Sequence, residues 1–198
     1  KTKTIAEKMV LKANNQNLST VSLRPHLSWG PGDHHFLPRL VSKARAGKLR
    51  IIGNAPNLVD SVYIDNAALA HLQAFEKLYP GSPVAGKAYF ITQGEPLPIA
   101  DLINKILKAA NAPLVTKKIP FKLANIAGSV FEFVYTVLDI KTEPPLTKFV
   151  VKQLSTPHWF NISSAKKDFG YTPVISTEEG MNRLSEWLTL NPEIIKNL

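Results

Sequence analysis

Apolar positions recur along this chain at two spacings, one helical and one extended, and their alternation predicts its elements. Ile5, Ala6, Met9, Val10 and Ala13 stand about one turn apart, which predicts an amphipathic helix over residues 1–14. No Ser, Thr, Asp or Asn precedes its first residues, so the pattern opens as though inside a helix already under way. Thr20 to Leu23 is β-branched and apolar and predicts a strand that stops at Arg24-Pro25, where proline removes a donor. Gly30-Pro31-Gly32-Asp33 is turn chemistry. Asp33 is then placed to cap a helix bearing Phe36, Leu37, Leu40, Val41 and Ala44, closed by Gly47. Leu49 to Ile52 and Val59 to Ile64 read as extended segments. Asp65 follows as the expected N-cap of a helix with Ala67, Ala70, Ala74 and Leu78 on one face. Ala88 to Ile91 predicts a further strand, and Pro98 the first position of the clearest helix, with Ile99, Leu102, Ile103, Ile106 and Ala110 in register. Ser176 and Glu179 form a capping-box pattern before Met181, Leu184 and Leu188.

Strands alternating with helices argue for an α/β protein. One stretch departs from the amphipathic norm. Phe121 to Ile140 is nearly all apolar, yet Lys122, Asn125, Glu132 and Asp139 interrupt it, whereas a membrane-spanning helix needs about twenty largely uninterrupted apolar residues. A buried or lid helix is expected there, with an interfacial or pocket-lining helix as the alternative. The proline-rich spacer Glu143-Pro144-Pro145 follows it.

Composition narrows the classes. With 198 residues and 44% hydrophobic content, the chain can bury one sizeable core or a core with a small accessory lobe. The absence of cysteine excludes a disulfide framework, thiol catalysis and cysteine-based zinc sites. A formal charge of +9 draws the protein toward phosphates, anionic lipids or acidic ligands. Its lysines and arginines are spread without a block and without interleaved stacking aromatics, so nucleic acid is not an expected partner. No signal-peptide pattern opens the chain, and a cytoplasmic location, with or without peripheral membrane contact, is expected.

Individual residues invite chemistry that their surroundings mostly argue against. Asp33-His34-His35 resembles a metal cluster, but adjacent histidines diverge at a helix start and no spaced third ligand follows, so no metal is expected. Asp60 is expected to be a hydrogen-bonding group at a strand end or on the cofactor side, and Glu132 a lone acid on a wet helix face, with a pocket position as its alternative. Trp29 is open to both a core position and an apolar pocket wall.

Several separated segments together resemble one family. Lys1-Thr2-Lys3-Thr4-Ile5-Ala6-Glu7 is similar to the Thr-Lys-x-x-Ala-Glu stretch that follows the active-site tyrosine of extended short-chain dehydrogenases/reductases. Leu23-Arg24-Pro25-His26-Leu27-Ser28-Trp29-Gly30-Pro31-Gly32-Asp33 resembles the strand end and loop of the 3β-hydroxysteroid and sterol-decarboxylating members, and is the most specific block. Val59 to Ala68 with Ala70-His71, Ala85 to Ile91, and His158 to Ser163 through Gly170 to Pro173 complete the series in order.

The resemblance implies the carboxyl-terminal part of an extended Rossmann-type dehydrogenase, comprising the last strands of its parallel sheet and a small, mostly helical substrate lobe. Residues 1–80 would complete the dinucleotide-binding domain with a substrate loop interleaved. Residues 81–198 would form mainly the substrate lobe, with strand 88–91 returning to the sheet. NAD or NADP is the implied cofactor, and an apolar, sterol-like secondary alcohol or ketone the implied substrate. Lys3 would be the lysine of Tyr-x-x-x-Lys, its tyrosine falling two residues before Lys1, and would serve both catalysis and cofactor binding. The four-residue spacing sets both side chains on one helix face. Arg24, Pro25, His26 and Leu27 would approach the cofactor, and Trp29, Phe36 and Arg39 the substrate. The upstream half of the same polypeptide is an implied partner, a homodimer is left open, and without that half negligible activity is expected. Nucleotide-sugar epimerases and dehydratases of the superfamily are the alternative. Their strand end carries an aromatic and an asparagine where this chain has Arg24-Pro25-His26. A noncatalytic lipid-surface module is the third reading.

Overall fold

The computed structural model describes residues 2–53, 56–142 and 144–196. Lys1 and Glu143, which enter the segments discussed above, lie outside them. The first part of the chain forms α1 (Thr2–Lys12), β1 (Val21–Pro25), β2 (Ser28–Trp29), α2 (Phe36–Arg45), β3 (Ile51–Ile52) and β4 (Leu58–Val59). The middle forms β5 (Val62–Tyr63), α3 (Ile64–Glu76), β6 (Lys87–Ile91), β7 (Leu97–Pro98), α4 (Ile99–Ala109) and β8 (Lys118–Ile119). The last part is helical: α5 (Phe121–Val137), α6 (Lys148–Ser155), α7 (Ser163–Phe169), α8 (Thr177–Leu190) and α9 (Glu193–Lys196). Two compact units share these elements, each drawn from three separated stretches.

One unit consists of Lys1–Asp33, Asp60–Pro96 and Trp159–Trp187. At its centre β1 and β6 pair in parallel, Val21 opposite Lys87 through Pro25 opposite Ile91. Buried alanines on α3 (Ala67, Ala70 and Ala74) share a core with Tyr89, Ile91, Ile162, Ala165, Phe169 and Tyr171. Small side chains on that helix face let its axis approach the strands closely. Gly170 takes φ +76° and ends α7, after which the buried Tyr171 hydroxyl donates to Thr92 O at 3.0 Å. Trp29 is equally enclosed: its indole N–H donates to Ser61 Oγ at 3.0 Å and its ring meets Tyr63 edge-on at 5.3 Å. Gly180 of α8 lies against both rings. A Cβ there would come within 2.8 Å of Tyr63 and 2.9 Å of Trp29, so only glycine fits.

The other unit consists of His34–Val59, Leu97–His158 and Leu188–Leu198. Its α2 packs against α4 and α9, burying Leu37, Leu40, Val41 and Ala44 on one helix and Leu102, Ile103, Ile106 and Leu107 on another. β3 pairs with β8 in parallel and β4 with β7 antiparallel. Ile52, Ala124 and Val151 make a second small core. Gly128 lets the start of α6 press on α5, since a Cβ there would stand 3.1 Å from the Lys148 amide nitrogen. Glu132, expected as a solvated acid, is half-buried and accepts that same Lys148 N–H at 2.9 Å, serving the amino end of α6.

Several local expectations shift. The N-cap of α2 falls on His35 rather than Asp33, and that of α3 on Tyr63 rather than Asp65, in neither case with a side-chain cap hydrogen bond. Asp65 sits instead in the first turn of α3, where a negative charge complements the helix dipole and Arg183 Nη1 stands 3.7 Å away. Pro98 is the N-cap of α4, one position before its first residue. The extended segment 59–64 is interrupted at Asp60-Ser61: β4 ends at Val59, β5 is only Val62–Tyr63, and Ile64 already begins α3. Ser176 Oγ accepts from the Glu179 amide at 3.1 Å, but the reciprocal half of the box is not made, because Glu179 accepts instead from Arg183 Nε at 2.7 Å.

Candidate functional site

Three hydrogen bonds fix α1 on the parallel strand pair. Glu7 Oε2 accepts from Arg24 Nε at 2.6 Å and from Ser22 Oγ at 2.8 Å, and Glu7 Oε1 accepts from Arg24 Nη2 at 2.5 Å. The two guanidinium contacts are bidentate, the strong geometry for an arginine and a carboxylate. Farther along the helix, Val10 O accepts from Thr20 Oγ1 at 3.0 Å and Asn14 Oδ1 from the Thr20 amide at 3.0 Å. Asn14, just past α1, and Val10 and Glu7 within it therefore meet residues 20 to 24 in reverse order, so the helix runs antiparallel to β1. Lys3 lies one turn before Glu7, about 6 Å along the axis. Two strand residues past Arg24 cover a similar distance. Lys3 thus stands one turn farther toward the carboxyl end of β1 than Glu7, on the same helix face, and exposed.

Beyond Arg24 an aromatic series continues the clamp. The guanidinium lies 5.0 Å from the Phe90 ring centre, Phe90 stacks on Phe160 at 3.9 Å, and Phe160 meets His26 edge-on at 4.8 Å. The His26 amide donates to Ile91 O at 3.1 Å, carrying the β1–β6 ladder one residue past the strand. Leu27 then takes φ +44°, a conformation that costs a non-glycine residue about 1 kcal/mol or more. Its carbonyl accepts from the Val62 amide at 3.4 Å, and β2 continues parallel to β5. The strained residue marks where the chain leaves one strand pair for the next, at the carboxyl ends of parallel strands.

The same unit buries a carboxylate that the sequence marked as a strand-end or cofactor-side hydrogen-bonding group. Asp60 is fully buried and takes the Ser61 N–H on Oδ1 at 3.1 Å, with the Thr92 hydroxyl and the amides of Phe160 and Gly94 also directed at it. Burial nevertheless outweighs these donors and raises its pKa above the ordinary carboxylate value. Asn66 and Gln93 form a second buried group: Asn66 Oδ1 accepts from the Val174 and Ile175 amides at 3.0 and 3.1 Å, and its amide donates to Gln93 Oε1 at 3.0 Å.

The predicted residues divide between the units. Arg24 and Pro25 end β1 and His26 and Leu27 follow it, Lys3 stands on α1, which packs against β1, and Trp29 is in the core. Phe36 and Arg39 stand on α2 in the other unit, Phe36 half-buried and Arg39 exposed. Glu7, which anchors α1 to β1, was not among the residues expected to matter. Its signals were its place as the glutamate of the Thr-Lys-x-x-Ala-Glu stretch and its spacing of one turn after Lys3 on the same face. Among the described residues no three metal-ligating side chains converge.

The Glu7 clamp has a measurable signature. Arg24 first, then Ser22, hold the Glu7 carboxyl at about 2, below its ordinary 4.5. A depressed acid stabilises the fold fully above the unfolded value, and that contribution is lost as pH falls from 4.5 toward 2. In an NMR titration the Glu7 carboxyl should change near pH 2 and return toward 4.5 in Arg24→Ala. An ordinary midpoint in the native chain would mean that the two residues do not pair in solution.

Parallel strands covered by helices, with a strained loop leaving their carboxyl ends, define an α/β protein of the Rossmann-type, extended short-chain dehydrogenase/reductase fold. A double mutant of the dTDP-glucose 4,6-dehydratase DesIV from Streptomyces venezuelae, solved with NAD and DAU bound, shares it with a TM-score of 0.61. That match has 16% identity and covers 98% of this chain and 50% of DesIV. The chain belongs to the 3-beta hydroxysteroid dehydrogenase/isomerase family, whose model matches residues 1–123. It is 54% identical over 183 residues to the 2-alkyl-3-oxoalkanoate reductase of Stenotrophomonas maltophilia, covering 92% of this chain and 56% of that one. It is 34% identical over 187 residues to the decarboxylating sterol-4-alpha-carboxylate 3-dehydrogenase of mouse, with 92% and 52% covered. The chain thus spans about half the length of these curated relatives.

Proposed function

We propose that the chain is the carboxyl-terminal portion of an NAD- or NADP-dependent oxidoreductase that interconverts a secondary alcohol and its ketone on an apolar, sterol-like substrate. The observation that carries this reading is the Glu7–Arg24 clamp, which joins α1, one turn after Lys3, to the residue next to the loop Pro25-His26-Leu27 at the carboxyl end of β1. Ligands of open α/β sheets bind at that end of the strands. The nicotinamide, when bound, supplies or accepts the hydride. Lys3 favours the phenolate form of a tyrosine on the preceding turn by direct charge stabilisation, bringing its pKa toward the working range. Its ammonium also holds the cofactor ribose. Arg24 acts through the clamp, and the backbone of Pro25, His26 and Leu27 approaches the carboxamide. Phe36 and Arg39 are assigned to the substrate, one for apolar contact and one for negative charge, while Trp29 supports the loop from the core.

The names of the two curated relatives share one chemistry, an oxygen function on the carbon β to a carboxylate, flanked by hydrocarbon. A basic chain of net charge +9 suits an anionic substrate of that kind. The nucleotide-sugar reading has less support, since the solved dehydratase is only 16% identical and shares the fold alone.

The chain by itself should show negligible turnover, and joining it to the upstream half should give nicotinamide-dependent oxidation of a β-hydroxy acid or 3β-hydroxysteroid. Ordinary turnover by the isolated chain would refute the dependence on that half. A folded, joined protein that binds no nicotinamide would refute the redox assignment.

A further inference from the structure

Residues 26–29, which leave the carboxyl end of β1, are held at both ends through aromatic rings, and each support leads back to one buried carboxylate. At the start of this loop the His26 ring meets Phe160 edge-on at 4.8 Å, and Phe160 stacks in turn on Phe90 at 3.9 Å. At its end the Trp29 indole donates to Ser61 Oγ at 3.0 Å. Between them Leu27 is strained at φ +44°, and its carbonyl accepts from the amide of Val62, the residue after Ser61. A strained residue keeps such a conformation only while its surroundings over-determine it.

Asp60 stands where these supports meet. The amides of Ser61 and Phe160 and the Thr92 hydroxyl are directed at its carboxylate, the Ser61 nitrogen 3.1 Å from Oδ1. Ser61 also reaches the segment after β6, where its carbonyl accepts from the Gln93 amide at 2.6 Å. The parallel bridge between Val59 and His158, with the His158 amide donating to Leu58 O at 2.9 Å, runs the stretch leading to Phe160 alongside the stretch leading to Asp60. Asp60 is fully buried, so solvent does not take over the donors that it holds.

We propose that Asp60 is a positioning residue for this loop, setting His26 through Phe160 and Trp29 through Ser61, so that residues 26–29 keep the geometry that a nicotinamide dinucleotide binds. The inference rests on the function proposed above, and gives neither Asp60 nor Phe160 a contact with the reacting atoms. Apparent affinity falls in proportion to the fraction of molecules that hold a competent site. Helix α1, which carries Lys3, is fixed on β1 by a different carboxylate, that of Glu7. The proton-transfer side of the site is therefore independent of Asp60, and loss of the Asp60 link is felt in cofactor affinity rather than in turnover at saturation.

Two variants test the path at different points. Asp60→Asn keeps the size of the side chain but puts a donor where one acceptor oxygen stood, and Phe160→Leu keeps the amide while removing the ring. In the chain joined to its upstream half, each should raise the dissociation constant of NAD or NADP by about fivefold or more, the scale of one hydrogen bond or ring contact. Turnover at saturating cofactor should stay within about twofold. The double variant should bind no more weakly than the weaker single one, since both lie on one path. Tyr89→Phe, which breaks hydrogen bonds to Asp168 and Pro83 in the same unit, should lower the melting temperature without moving the constant. NMR of the His26 ring protons, without cofactor, gives a second reading. Phe160→Leu removes a ring current and displaces them, and Asp60→Asn should displace them in the same direction although it leaves every ring intact. Unmoved His26 resonances or unchanged nicotinamide affinity in Asp60→Asn would overturn the proposal, as would multiplying effects in the double variant or an equal loss in Tyr89→Phe. A native joined protein that binds no nicotinamide refutes the redox reading instead, and the His26 resonances then decide the coupling on their own.

Discussion

Lys3→Ala, made in a polypeptide that carries the upstream half, should lower turnover by about a hundredfold or more, the scale at which a positioned proton-transfer group contributes. The side chain is exposed on α1 and takes no part in the clamp, so thermal unfolding should be unchanged. A charge-stabilising role also predicts a displaced pH profile. Without the ammonium, the phenol that it serves would ionise at higher pH, and residual activity should rise on the alkaline side. Lys8→Ala provides the control, since Lys8 is exposed on the same helix but five residues on, and so on a different face. Near-normal turnover in Lys3→Ala, or an equal loss in Lys8→Ala, would show that Lys3 is not the catalytic lysine.

Local periodicity was sufficient where one helix or strand buries one face. It located α1, α2 with its Gly47 stop at φ +62°, α4, and the β1 and β6 strands that later prove to be partners. It failed where tertiary contacts override small local preferences. A cap is worth about 1 kcal/mol, and the chain passes over Asp33 to begin one helix at Phe36 and starts another at Ile64, before Asp65 is reached. Two-residue strands such as β4 and β5 have no period to detect, and the partner of each lies 33 or more residues away in sequence. Helix α5 shows the limit most plainly. Its apolar content predicts burial, yet its inward face carries alanine and glycine while the leucine, isoleucine, valines and phenylalanine face outward.

Much of the candidate site was legible for a related reason. Arg24, Pro25, His26 and Leu27 are contiguous, so recognising one loop placed all four. The pairing of Glu7 with Arg24 spans 17 positions and depends on which face α1 turns to β1. No spacing rule connects a helical carboxylate to a strand arginine across a turn. The clamp nevertheless fixes the helix that carries Lys3 on the strand that leads into the loop.

The second large effect expected is on stability, at Asp60. Asp60→Ala should destabilise the fold by about 2–4 kcal/mol near neutral pH, because it leaves the Ser61 and Phe160 amides and the Thr92 hydroxyl without their buried acceptor. For a protein of this size that lowers the melting temperature by very roughly 5–15 °C. The pH dependence gives the sharper test. Burial raises the native pKa of Asp60 above 3.8, so its stabilising contribution is complete below the unfolded value and declines as pH rises through the native one. Tyr171, the titratable neighbour coupled to it, is itself pushed up by burial and stays neutral throughout this range. The gap in unfolding free energy between the native chain and Asp60→Ala should therefore be widest near pH 4 and narrow toward neutrality, as the buried carboxylate acquires its charge. Denaturant unfolding of both proteins across that interval measures the gap directly, with the general effects of acid cancelling in the difference. A gap that widened with rising pH would mean that the surrounding donors prevail over burial and that Asp60 stabilises the fold as an anion.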